Sequence, residues 1–194
     1  MLKSFESNSR AIAFIAIMAA LGNALSAFTI GLTKAGQVGI DLSHIATFIA
    51  AVYGGPYMGF LTGLLGGIVP GIYYGPLSGL SWLGLIGLPI GKSLTGFATG
   101  ALCKFFNLNR MTRPSLFVIP IVLIGFIPEF LFTVVFFLYL VPFFLGWLSI
   151  PVLISIVVKA WIEVAFMSAF MGALIGNGGF SSFMDRFLVM RKVQ

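Results

Sequence analysis

Residues 55–71 read GPYMGFLTGLLGGIVPG, with glycine at 55, 59, 63, 67 and 71, then again at 75 and 79. In a helix interior each Gly costs about 1 kcal/mol relative to Ala. An apolar segment tolerates that cost where another backbone must come very close. Helices in lipid associate by packing, and small residues at i and i+4 permit the approach. A four-residue step overshoots the helical turn by about 40°, so Gly55 to Gly67 stay within one broad stripe, whereas seven glycines wind most of the way round. The expectation is a packing stripe over 55–67, followed by a bend and loop over 70–79 (PGIYYGPLSG), with Pro70 interrupting the hydrogen-bond ladder.

The rest of the chain explains why lipid is the relevant solvent. Of 194 residues, 59% are hydrophobic and only 8% are charged, against about 25% charged in soluble domains. Mean hydropathy is +1.10. The net charge of +6 comes from few basic residues lying between apolar runs, which suits the cationic loops of a membrane protein and not a nucleic-acid surface. Cys103 is the single cysteine, so no internal disulfide and no CxxC metal site can form; it reads as a small apolar filler. No cofactor motif is present.

Six spans are expected, near 11–33, 41–54, 56–74, 81–103, 115–146 and 149–176, in a single all-α integral membrane domain covering 1–194. The first is too long for the apolar region of a signal peptide. The second and third are short enough to be partial or re-entrant, and the fifth is long enough to be tilted or broken at Pro128 or Pro142. Lys3 and Arg10, then Lys104, Arg110 and Arg113, then Arg186, Arg191 and Lys192 all fall on one side of this arrangement, and Lys34 alone on the other. Positive residues stay inside, so both termini are expected in the cytoplasm of a plasma-membrane protein. Trp82 and Trp147 then sit near the outer interface.

Span one carries Ala16, Ala20 and Ala24 at four-residue spacing, beside Ala13, Ala19 and Gly22. The pattern suits either a packing face within the chain or a docking face for another membrane protein.

Ionisable residues deep in a span point to a functional site. Here they are Lys92, Glu129, Lys159 and Glu163. Lys159 and Glu163 share a helix face and can pair, and Lys92 can pair with Glu129 between helices. Structural pairing, a polar ligand pocket and an ion path are all open on these residues. Charges of both signs suit a small polar or zwitterionic ligand in an apolar cavity. Asp41 and His44 lie where they can close such a site, with helix capping the leading role for Asp41. Tyr73, Tyr74 and Trp82 can stack on a planar ligand or anchor the interface.

GLPIGKS at 87–93 imitates the end of a phosphate-binding loop, but Ile86 stands where the first Gly belongs and no strand precedes it. With no HExxH, no GxSxG and one histidine, catalysis and a metal site are not expected.

The whole arrangement resembles the substrate-binding S components of energy-coupling factor (ECF) vitamin transporters. The resemblance rests on size, six spans, the Ala-rich first span AIAFIAIMAALGNA with its AIMAA element, the stretch DLSHIATFIAAVYGGPYMGFLTGLLGGI, and a last span with a central Lys. It implies a binding protein, not an enzyme, that takes a water-soluble vitamin or precursor from outside. The implied pocket carries Lys92, Glu129, Lys159 and Glu163, with Trp82, Tyr74 and His44 at its outer side. Through Ala13, Ala16 and Ala20 it would dock on a transmembrane coupling protein that rides on two cytoplasmic ATPase subunits. The competing expectation is a self-sufficient secondary transporter or channel for a small polar solute.

Overall fold

The computed structural model describes residues 2–34, 41–108, 111–146 and 150–188; Arg110, Trp147, Arg191 and Lys192 lie outside them. Of the described residues 89% are helical and none is in a strand, so the backbone bonds of the apolar stretches close within helices, as lipid requires. The helices are α1 (Leu2–Lys34), α2 (His44–Gly54), α3 (Pro56–Gly66), α4 (Ile68–Tyr74), α5 (Ser81–Phe105), α6 (Pro114–Gly125), α7 (Ile127–Val135), α8 (Val141–Leu145), α9 (Ile150–Gly176) and α10 (Gly178–Leu188), with a π-helical turn at Phe136–Leu140. Three stretches, Ser9–Leu32, Pro114–Leu145 and Leu153–Gly176, are long and apolar enough to cross a membrane.

The glycine row faces α5 from Gly55 to Gly75. A Cβ at Gly59 would overlap the Gly96 carbonyl, one at Gly63 the Lys92 carbonyl, and one at Gly67 the Pro89 backbone. At Gly71 it would press on the Leu85 carbonyl at 3.1 Å, and at Gly75 on Ser81 O at 2.6 Å. The two segments therefore run antiparallel with their backbones in contact. This corrects the split expected from the sequence, in which 70–79 left the packing face. The drift of a four-residue step holds for a straight helix, but this one breaks at Gly67, between α3 and α4. The break re-aims the second half onto α5. Gly79 alone is a free turn glycine, with φ +101° and open space around it. Gly55, at φ 85°, makes the tight turn that leads into α3 with Pro56 in its first turn.

The break has a cause and a repair. Pro70 cannot donate to the carbonyl four residues back, and its ring crowds it. The neighbouring bond from Val69 N–H to Leu65 O is replaced by a side chain: Asn23 of α1 accepts from Val69 N–H at 3.0 Å and donates to Leu65 O at 2.9 Å.

Two further breaks follow prolines in the long segment after residue 113. α6 ends at Gly125 and α7 starts at Ile127, with Pro128 in its first turn. Before Pro142 the ladder widens to the π-helical turn, where Val141 N–H reaches Phe136 O. The expected break sites were Pro128 and Pro142, and both are marked.

α2 is buried on nearly all sides, from Ala46 to Val52. Its eleven residues span about 16 Å, which makes it a central pillar of the bundle. α1 leans on α2 and α3 through Ala19, Gly22 and Ser26, which are buried, while Ala13, Ala16, Ala20 and Ala24 all face outward. The expected four-residue alanine row is thus not covered by the described residues of this chain. Cys103 lies in the main apolar cluster with Val118, Val122 and Met167.

The backbone contact at Gly63 gives a direct test. Gly63→Ala should lower the melting temperature of the purified protein, because overpacking costs about 1–3 kcal/mol and the atoms it meets are backbone. Gly31→Ala, with nothing within 4 Å of its new methyl, should be neutral or slightly stabilising. Equal melting temperatures for the two variants would rule out the α3–α5 contact.

Candidate functional site

The site begins at the entry to α2, where the chain reads DLSH. The Ser43 N–H donates to Asp41 Oδ1 at 3.0 Å, which folds the turn before the helix. The Asp41 side chain therefore shapes this turn and does not cap α2 itself; Ser43 holds the N-cap position and makes no side-chain capping bond. Both side chains point instead at α5. Lys92 Nζ meets Asp41 Oδ2 at 3.0 Å, donates to Ser43 Oγ, and lies 3.2 Å from His44 Nδ1. An ammonium has three N–H donors, and here each has an acceptor. The Lys92 side chain is only 3% exposed.

His44 carries the network onward. Its Nδ1 faces an ammonium and so accepts, which leaves the ring proton on Nε2. Nε2 donates to Glu129 Oε2 at 2.9 Å, and Thr95, one turn beyond Lys92, donates to the same oxygen. Glu129 stands in the first turn of α7, where free N–H groups favour a carboxylate. The direct Lys92–Glu129 pair expected from the sequence is not formed; the imidazole stands between them. On α9, Glu163 Oε1 accepts the Asp41 N–H at 2.8 Å and lies 3.5 Å from Lys159 Nζ, the expected i,i+4 pair.

These groups border a cavity of about 240 Å³. Its walls come from α2, α4, α5, α7, the π-helical turn and α9. Lys92, Glu129, Lys159, Glu163, His44 and Tyr74 all line it, as does Asp41. Trp82 does not. It is 47% exposed and packs edge-to-face on Phe144 at 5.0 Å, so it is removed from the candidate set. Ala13, Ala16 and Ala20 also stand away from the cavity, on the outer face of α1.

Sequence reasoning missed the apolar wall. Phe126, Phe130, Phe132, Phe136 and Phe137 line the cavity with Tyr74, and Trp161 backs Phe126 and Phe130 at 5.3 and 5.7 Å. With 21 phenylalanines in the chain, only position relative to Glu129 could have singled these out: Phe126 and Phe130 flank it, and Thr133 follows one turn later. Ser43 and Thr95 were likewise legible only as neighbours of His44 and Lys92. Among the described residues, no three His, Cys, Asp or Glu side chains converge in a way that could hold a metal ion.

Comparison with known protein families, with curated proteins and with solved structures finds no match for this chain.

Removing one partner from a buried ion pair leaves an uncompensated charge and costs about 3–5 kcal/mol. Lys92→Met should therefore reduce unfolding stability severely. Lys159→Met, at a side chain 38% exposed, should reduce it far less. Chemical denaturation of the detergent-purified variants measures the difference, and a Lys92→Met protein as stable as the parent would contradict the saturated network.

Proposed function

We propose that this chain is the membrane-embedded, high-affinity substrate-binding subunit of an ECF-type importer for a water-soluble vitamin or vitamin precursor. The observation that carries the proposal is the cavity, in which acidic and basic groups of four helices and of the turn before α2 meet against an aromatic wall. Pockets of this composition, apolar with a few convergent polar groups, hold small molecules. At about 240 Å³ this one suits a compact ligand.

In this proposal the chain makes six passes with both termini in the cytoplasm: α1, α2, α3 with α4, α5, α6 through α8, and α9. The short α2 needs no lipid contact, because irregular backbone at membrane depth is tolerated where protein or a cavity surrounds it. The turn at 75–80, which follows Tyr74 of the cavity lining, then lies outside. A transmembrane coupling protein packs against the outward alanines of α1, and two cytoplasmic ATPase subunits supply the energy. The exposure of Ala13, Ala16 and Ala20 supports that docking face, since small side chains let a partner helix approach closely.

Two outcomes test the proposal. Vesicles holding this chain alone should show no uptake of the small molecule that copurifies with it, and adding the coupling protein and ATPases with ATP should restore uptake. ATP-independent uptake by the chain alone would identify a self-sufficient carrier instead. Ala20→Trp should abolish coupled uptake while leaving ligand affinity intact; retained uptake would remove α1 as the docking face.

A further inference from the structure

Three carboxylates, Asp41, Glu129 and Glu163, and two ammonium groups, Lys92 and Lys159, line the cavity. Each ammonium has its own carboxylate: Lys92 pairs with Asp41 at 3.0 Å and Lys159 with Glu163 at 3.5 Å. The His44 imidazole lies between Lys92 and Glu129, with Nδ1 3.2 Å from the ammonium and Nε2 2.9 Å from Oε2. Glu129 has no ammonium of its own: its donors are the imidazole and the Thr95 hydroxyl, and both go to Oε2. Among the described residues nothing donates to Oε1. That oxygen faces Gly91, where a Cβ would stand 3.4 Å away, so no side chain covers it from α5. The Glu129 side chain is only 13% exposed, and an ionised carboxylate at that depth needs a counter-charge.

The aromatic lining of the same cavity supplies the complement. Tyr74, Phe126, Phe130 and Phe136 surround the same space, and aromatic faces attract cations, the more so when water is excluded. Lys92 has all three donors taken and Lys159 lies 3.5 Å from Glu163, so each ammonium already faces a carboxylate, whereas Glu129 has neither ammonium within ion-pair distance.

We infer that Glu129 is the counter-ion of the bound molecule, and that the ligand is a small cationic nitrogen compound with a planar ring. Its charged nitrogen sits at Glu129 Oε1 and its ring lies against the aromatic wall. This rests on the cavity being the ligand site of the proposed binding subunit, and it narrows the ligand from any polar or zwitterionic molecule to a cation.

Three probes of matched size separate charge from shape: benzylammonium, benzyl alcohol and benzoate. They are titrated at millimolar concentrations into the detergent-purified full chain, with calorimetry or thermal shift as the readout. Benzylammonium should bind about tenfold or more tightly than benzyl alcohol, a difference of about one ionic contact, and benzoate should bind weakest. Glu129→Gln keeps an acceptor for His44 and Thr95 while removing the charge, and should collapse the difference between benzylammonium and benzyl alcohol. If that variant does not fold, the order of the three probes on the parent chain still decides. Benzoate binding as well as or better than benzylammonium overturns the charge assignment and leaves the binding-subunit reading standing. A cation preference that survives Glu129→Gln removes Glu129 as the counter-ion. Failure of all three probes to bind overturns the inference together with the cavity as a ligand site.

Discussion

The close backbone contact between the glycine row and α5 is the constraint on which the rest of the bundle depends. Side chains normally hold helices 8–10 Å apart. Here Gly59 and Gly96 face each other with no side chain between them, and the Lys92 backbone lies directly on Gly63. With its backbone held against α3, Lys92 extends its side chain to the entry of α2 and reaches Asp41, Ser43 and His44 together. A larger residue at Gly63 would move α5 outward and carry the ammonium with it. The cost of many glycines in helices is thus offset by the register they enforce.

The prolines act in the same direction. Pro89 and Pro120 lie inside α5 and α6, but Pro70, Pro128 and Pro142 mark breaks at which side chains are then placed for packing or for the cavity. Pro70 opens the bond between Leu65 and Val69, and Asn23 fills both ends, tying α1 to the middle of α3 and α4. Pro128 starts a new helix whose first turn carries Glu129. The π-helical turn before Pro142 presents Phe136 and Phe137 to the cavity. A straight, uninterrupted set of helices would satisfy its own backbone and leave no reason for these side chains to converge.

Much of this was legible in the sequence because lipid makes charges conspicuous. Lys92, Glu129, Lys159 and Glu163 stood out as ions in the wrong solvent, and the structure gathers all four around one cavity. The connections among them were not legible. His44 and Glu129 lie 85 residues apart, and no periodicity links them. Asn23 stands among alanines and glycines, and nothing in the sequence around it singled it out. The glycine row was divided because its pitch was measured on a straight helix, although Pro70 was the stated reason that the helix would not be straight. Trp82 misled for a different cause: an amphipathic ring near a loop serves an interface as readily as a ligand.

The outward alanines and the cavity are not adjacent, yet few contacts separate them. A Cβ at Gly22 of α1 would stand 3.4 Å from the Ser43 carbonyl, and Ser43 accepts from Lys92, whose ammonium also holds Asp41 and His44. A displacement of α1 by a docked partner meets the entry of α2 after one packed contact and the charged network after one hydrogen bond. Close-packed interiors transmit such displacements because they have no slack to absorb them. In the proposed importer the α1 face and the ligand's counter-ion therefore belong to one mechanical unit. Tilting α1 without carrying α2 along would strain the Lys92 network, whose three acceptors sit on a single turn of chain. That favours movement of the bundle as a body over the opening of a local gate.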